Sequence, residues 1–361
     1  MAIHEFNPDY ATPPGDILEE VLESLNITKR SFAEKCSKTP EFISNVIKGS
    51  APISAETADD FENVLNIKAQ FWLNLENNYR LFLLKKKKES ELQNQLDWLK
   101  NFPIPEMKKR NILSAQKDKI KTIKEFLKFF GVASINAYEN IWQKKELPLA
   151  LRNSGTHATN PYSLSVWIKE GEIKASNIFS PDYDKNKFKN TLKNIRENYL
   201  SNKIENIEII RKLFEEAGVL LLFVKPYKGL AIGGMARWLS PKKALIQLSL
   251  RHKRDDQFWF SLIHECIHIL EHPKKKIYIH NNHTEPTNEE READLMASNY
   301  LIPQKDWQAF ISQGIFSISS VIKFAKEIKI PAGIIVGRLQ REELIPYSHL
   351  NDLKVSIDFK K

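Results

Sequence analysis

The sequence predicts a mainly α-helical chain with a small β-sheet (α+β), in which an all-α N-terminal domain precedes a larger domain that carries the sheet. Three observations lead there. Apolar residues recur at helical spacing up to Ala217, β-rich runs are confined to Val219–Leu248, and Phe102-Pro103-Ile104-Pro105 interrupts the helical pattern near residue 100.

The elements follow in order. Ile17, Leu18, Val21, Leu22 and Leu25 share one helical face, and the pattern resumes from Phe32 to Ile47. Gly49 and Pro52 break it, and Ser54 is placed to cap a third run through Ala58, Phe61, Val64 and Leu65. A longer helix is expected from Ala69 to Lys100, ended by the two prolines. Further helices are expected over Lys117–Phe130, Ser134–Lys144, Pro161–Ile173, Lys185–Tyr199 and Ile204–Ala217. Gly218 introduces a strand at Val219–Val224, with two more at Met235–Leu239 and Ala244–Leu248, before the helix Asp256–Leu270. Gly229–Gly234 lacks the Gly-Lys-Ser/Thr ending of a phosphate loop and reads as a turn. Two short helices follow Pro303. These breaks place domains at 1–100, 106–184, 185–303 and 304–361, the second of them a helical connecting region.

Composition narrows the function. With 361 residues, 42% hydrophobic and 27% charged, the chain is long enough for more than one core and is not disordered in composition. The first residues lack the basic start and apolar run of a secretory signal, and the longest apolar runs fall well short of a membrane span. Two cysteines, Cys36 and Cys266, make no disulfide framework, so a cytoplasmic setting is expected. The net charge of +9 is uneven: residues 1–90 hold 11 Lys and Arg against 14 Asp and Glu. Charge alone therefore does not argue for nucleic acid.

Thr28–Gly49, TKRSFAEKCSKTPEFISNVIKG, argues better. Thr28 and Thr39 suit helix N-caps, Pro40 suits a first helical turn, and Ala33 allows two helices to cross closely. This is the plan of a helix-turn-helix, whose second helix enters the major groove. Candidate DNA contacts are Lys29, Lys38, Thr39, Glu41, Ser44, Asn45 and Lys48: Asn reads adenine edges, and Lys, Ser and Thr hold phosphates. Glu41 would repel phosphates. TPPGDILEEVLESLNIT, this segment and SAETADDFENVLNIKAQFWLNLENNYRL together resemble the HigA-type antidote branch of the Xre repressor family, over about residues 10–84. The resemblance implies a homodimer on double-stranded operator DNA, with a toxin as a further partner. Three positions depart from the family pattern: Ser37 replaces the usual turn glycine, Lys38 an apolar residue, and Lys29 a backbone-contacting glutamine.

The second motif is FSLIHECIHIL, Phe260–Leu270. His264 and His268 stack on one helical face and can grip one metal ion, with Glu265 beside them as a proton acceptor. Imidazoles among so many apolar residues need such compensation. Asn288–Pro303 supplies the third ligand: Glu290 can coordinate while Asp294, one turn on, bonds the far nitrogen of a ligating histidine. Glu289 and Glu292 are alternatives. His272, His280 and His283 read as loop bystanders, although one of them, or Tyr278 or Tyr300, could stabilise an oxyanion. Cys266 points off the metal face. GGMARWLSPKKALIQLSLRHKRDDQFWFSLIHECIHIL, then EREADLMASNYLIP and IPAGIIVGRLQREELI, resemble the ImmA/IrrE metallopeptidases over about residues 185–345. Cys266-Ile267 departs from that pattern, where small residues such as Gly are common. The resemblance assigns Glu290 as the metal-binding carboxylate and implies a zincin-like fold and limited cleavage of a partner, commonly a repressor. A Zn2+ ion would polarise the peptide carbonyl and acidify water, with Glu265 as base and then acid. The expected whole is a DNA-binding transcriptional regulator fused to a zinc metalloendopeptidase. The competing expectation is a non-enzymatic, antitoxin-like repressor whose C-terminal domain senses a metal or ligand.

Overall fold

A computed structural model describes residues 10–147, 160–200, 207–249, 254–280 and 287–357. The chain divides into two compact units, Met1–Leu96 and Asp97–Lys361.

The first unit is all helical: α1 (Pro14–Ser24), α2 (Lys29–Lys35), α3 (Pro40–Ile47), α4 (Ala55–Leu65) and α5 (Ala69–Gln93). Thr28, Thr39 and Ser54 cap α2, α3 and α4, each accepting a backbone N–H from three residues on. The turn between α2 and α3 holds Ser37 at φ 54°, in the left-handed region where glycine costs least. Leu18, Phe32, Ala33, Ile43, Ala58, Phe61 and Trp72 are fully buried and form one core. Phe61 bridges it, with ring centroids 5.0 Å from Phe32 and 5.6 Å from Trp72. Helix α5 stops at Gln93, short of the expected Lys100. A 3-10 turn over Leu96–Asn101 follows. The tighter winding carries Trp98 and Phe102 onto Phe126, with centroids 5.1 and 4.2 Å from it.

The second unit begins with α6 (Ile104–Lys109), α7 (Lys119–Phe130) and α8 (Ile135–Tyr138), which runs on as a π-turn over Glu139–Glu146 where an unbroken α-helix is expected from the sequence. Then come α9 (Pro161–Ser176), α10 (Lys185–Asn198), α11 (Ile207–Glu216), β1 (Val219–Phe223), β2 (Gly234–Ser240) and β3 (Lys243–Leu248). After these lie α12 (Asp255–Glu271), β4 (Tyr278–His280), α13 (Asn288–Leu301), α14 (Gln304–Ile311), α15 (Ile318–Ile328) and α16 (Ala332–Arg341). The sheet runs β1-β3-β2-β4, with β1 and β3 parallel and β2 antiparallel to both its neighbours.

Alternate strand residues enter two different cores. Val219, Leu221, Ala236, Ala244 and Ile246 face α12 and the C-terminal helices. Leu220, Leu222, Met235, Leu245 and Ile279 face the layer built from residues 102–147 and 160–175. A sheet covered on both faces explains why β1 reads VLLLF with no polar alternation. It also sets the site, because α12 lies on the sheet with His264 and His268 turned toward α13. No helix among the described residues is long and apolar enough to cross a membrane.

Candidate metal centre and helix-turn-helix surface

Helix α12 buries almost its whole circumference. His264 and Glu265 are 0% exposed, His268 is 1% and Glu290, from α13, is 4%. Thr287 caps α13 and so fixes Glu290 in its first turn. The Glu290 carboxylate straddles the two imidazoles: Oε2 is 3.1 Å from His264 Nε2 and Oε1 is 3.3 Å from His268 Nε2. The two Nε2 atoms are 3.0 Å apart. Ligand atoms from His264, His268 and Glu290 all lie within 4.8 Å of one another.

These residues fit a divalent metal. Two nitrogens bound at about 2.0–2.1 Å around a tetrahedral ion stand roughly 3.3 Å apart, close to the separation seen, and His2Glu is a donor set suited to zinc. Glu290 and Asp294 bring carboxylate charge to the two rings, and Glu265 adds a third acid beside them. On the far side of His264, Nδ1 meets Asp294 Oδ1 at 2.9 Å, which fixes the tautomer that leaves Nε2 free to ligate. Burial pulls the His264 pKa down, but the bonds to Asp294 and Glu290 outweigh it and carry the ring up to about 10. His268 moves the other way, to about 4, because burial and the neighbouring His264 outweigh Glu290. Burial, with Glu290 and Asp294 close by, pushes the Glu265 carboxyl well above the usual range. Neither Glu265 oxygen has a hydrogen-bond partner among the described residues. That is the environment of an acid available for proton transfer.

The alternatives raised by the sequence take other partners, and His272, read as a loop bystander, is buried with its Nδ1 2.8 Å from His268 Nδ1. Glu289 bonds Lys276, and Glu292 lies 3.4 Å from His272 Nε2. Tyr278 stacks on the His268 ring, centroids 4.2 Å apart, and its hydroxyl donates to the Pro273 carbonyl. Burial pushes the Tyr300 hydroxyl up, and Cys266 pushes it further. Cys266 is wholly buried in the core shared with the sheet. His283 lies outside the described residues.

On the first unit, Glu41, Ser44 and Asn45 fall on the outer stripe of α3 and Lys48 is its C-cap, with Glu41 and Lys48 exposed. Three other candidates are engaged within the unit. Lys38 Nζ is 2.9 Å from Glu56 and 3.1 Å from Asp60, Lys29 Nζ is 2.6 Å from Glu19, and the Thr39 hydroxyl caps α3.

Comparison with known proteins adds two domains. A family profile described as the IrrE N-terminal-like domain, of a peptidase family, matches residues 207–340, and one described as helix-turn-helix matches residues 18–72. The HTH-type transcriptional regulator YddM of Escherichia coli (strain K12), itself uncharacterised, is 37% identical over 68 residues, spanning 19% of this chain and 72% of the relative. The chain belongs to the Xre-like helix-turn-helix regulators and carries an IrrE/ImmA-like peptidase domain.

Solved structures similar to part of this chain include the Pseudomonas aeruginosa antitoxin HigA with the higBA promoter. That structure is 23% identical, covers 24% of this chain and 94% of its own, and has a TM-score of 0.22. An addiction module antidote protein of a HigA family from Coxiella burnetii is 24% identical, covers 23% and 91%, and has a TM-score of 0.21. In the IrrE/ImmA-like domain, sequence reasoning missed two residues at the site. Gly234 opens β2 directly against Glu265, where an added Cβ would stand 2.6 Å from Oε1. The glycine pair before a strand is the signal that could have found it. Arg341 lies over the Phe260 ring at 3.9 Å and bonds the Ser298 hydroxyl near Asp294, and no local motif marks it.

Proposed function

We propose that this regulator binds operator DNA through α3 and cuts a partner protein, a repressor by preference, with a zinc-dependent endopeptidase centre on α12 and α13. The observation that carries the reading is the convergence of His264, His268 and Glu290 beside an unpartnered, buried Glu265. The two imidazoles and Glu290 would hold the metal, and Asp294 would orient His264. When bound, zinc supplies Lewis acidity toward a peptide carbonyl and acidifies water. Glu265, with no bond to break first, takes a proton from the attacking water and delivers it to the leaving nitrogen. The fold around α12 keeps bulk water from that carboxylate.

On the DNA side, Lys48 and Ser44 hold phosphates and Asn45 reads a base edge, which needs a dimer on two half-sites. The closed burial of the centre favours one competing reading, a repressor that holds metal as a sensor without hydrolysis. Glu265→Gln separates the two. The full chain, purified with and without zinc, is incubated with repressors encoded beside it, and products are read by mass spectrometry. Wild-type cleavage that falls by about 10²- to 10⁴-fold in Glu265→Gln, with metal content and operator binding intact, supports the peptidase. A metal-loaded wild type that regulates its operator and cleaves none of the repressors supports the sensor.

A further inference from the structure

His268 has a second neighbour that the metal reading leaves without a role. Its Nδ1 stands 2.8 Å from His272 Nδ1, and His272 Nε2 stands 3.4 Å from Glu292 Oε2. His272 is itself buried, 9% exposed, and packs against both the His268 and the Tyr278 rings, with centroids 4.8 and 5.4 Å away.

We propose that His272 is the positioning residue of the second ligand, doing for His268 through an imidazole what Asp294 does for His264 through a carboxylate. The inference rests on the metal reading above. A neutral imidazole has one N–H and one bare nitrogen. If His268 ligates through Nε2, its proton must sit on Nδ1, and the atom facing that N–H is His272 Nδ1. His272 then accepts at Nδ1, so its own proton sits on Nε2, pointing at Glu292. Each ring thereby fixes the tautomer of the next, from metal to surface: His268, His272, Glu292. The sequence elements enforce it. Helix α12 ends at Glu271, and His272 leaves it in an extended conformation, φ −104° and ψ 161°, which aims the ring back along the helix.

The two ligands are held unequally. His264 donates to a carboxylate that is partly exposed, whereas His268 donates to an uncharged ring, a weaker polariser. His272 therefore acts chiefly by orientation, and Glu292, largely exposed on its side chain, refines the tautomer and contributes least.

The test is zinc affinity of the full chain, measured by competition with a chromophoric chelator, for wild type, His272→Leu, His272→Asn and Glu292→Ala. His272→Leu keeps bulk but accepts no hydrogen bond, and should weaken zinc by about 10- to 100-fold, the usual effect of losing such a partner. His272→Asn places a carbonyl oxygen where Nδ1 was and should restore most of the loss. Glu292→Ala should change little. With ¹⁵N-histidine labelling, the zinc-loaded wild type should show one slowly exchanging downfield Nδ1–H from His268, absent in His272→Leu and present in His272→Asn. A wild type that binds zinc tightly while His272→Leu binds it equally well overturns the positioning role alone. So does a zinc-loaded wild type with no protected His268 Nδ1–H, whether or not the leucine variant folds. A wild type that binds no zinc overturns this role together with the metal reading.

Discussion

Gly234 leaves Glu265 the space its carboxylate occupies. The first residue of β2 pairs with Leu248 on one side and His280 on the other, so its backbone cannot retreat. A Cβ there would stand 2.6 Å from Glu265 Oε1 and 2.8 Å from Leu248 Cδ2. In Gly234→Ala the glutamate must swing aside while the ligands on α12 and α13 stay put. The substitution should lower cleavage at least about 10-fold, since misplaced proton-transfer groups cost 10²- to 10⁴-fold when removed outright. Zinc stoichiometry should remain that of the wild type. Metal analysis beside a cleavage assay decides it, and loss of zinc in Gly234→Ala would mean that the glycine supports the fold of the centre as a whole.

Asp294 tests how His264 is held. Its bond to His264 Nδ1 sets which nitrogen faces the metal. Asp294→Ala should weaken zinc by about 10- to 100-fold. Asp294→Asn, which still presents an oxygen, should lose less. Equal affinity in all three proteins would show that Glu290 and the helix alone orient His264.

Much of this was readable in the sequence where geometry is local. Histidines four apart on a helix must stack, so His264 and His268 could be grouped from spacing alone, whereas Glu290 was separated from Glu289 and Glu292 only by the resemblance to the ImmA/IrrE metallopeptidases. What was not readable depends on contacts between distant segments. Strand β4 is three residues long and is recognisable only by its pairing with Gly234, Met235 and Ala236. His272 continues the four-residue spacing, yet its approach to His268 depends on the chain leaving α12 at that residue. Lys38 carries the right chemistry for phosphate but is drawn to Glu56 and Asp60 on α4, a choice made by helix packing.

That last contact separates the basic residues of the helix-turn-helix. Lys48 is exposed at the C-cap of α3, while the Lys38 ammonium is already shared between two carboxylates. Lys48→Ala should weaken binding to operator and unrelated DNA alike and reduce the salt slope by about 1. Lys38→Ala should leave the slope unchanged and lower only the thermal midpoint of the first unit. Fluorescence anisotropy on a labelled upstream fragment across a salt series reads both. A slope that falls with Lys38→Ala would place its ammonium on phosphate in the complex.

Ser37 offers a simpler check on the same motif. At φ 54° it occupies a conformation that disfavours any side chain. Ser37→Gly removes that strain at the cost of a more flexible unfolded chain, and should stabilise the first unit by up to about 1 kcal/mol. Chemical denaturation of the two proteins checks this, and a destabilised glycine variant would mean that the Ser37 side chain holds the turn.

Asp255 should give the second unit a pH-dependent stability. It begins α12 at 4% exposure, and its Oδ1 accepts the N–H groups of Asp256 and Val355 while Oδ2 has no partner among the described residues. Desolvation outweighs those bonds, and with help from Asp256 pushes the carboxyl from the usual 3.8 up to about 6. A carboxyl whose folded pKa exceeds its unfolded value binds a proton more readily in the fold. Stability from this group is therefore gained as pH falls from about 6 toward 3.8 and lost as pH rises through the same window. The ionised form above pH 6 is the strained one. Asp255→Asn keeps the accepting oxygen and removes the charge at every pH, so it should exceed the wild type in stability by about 1–3 kcal/mol at pH 8. The advantage should shrink toward zero at pH 4, where the native carboxyl is already protonated. The neighbouring Asp256 is paired with Lys354 at 2.5 Å. Urea unfolding at pH 4, 6 and 8 measures it. An advantage constant across that range would assign the effect to packing, and a less stable variant at pH 8 would show that the charge on Asp255 is welcome at the start of α12.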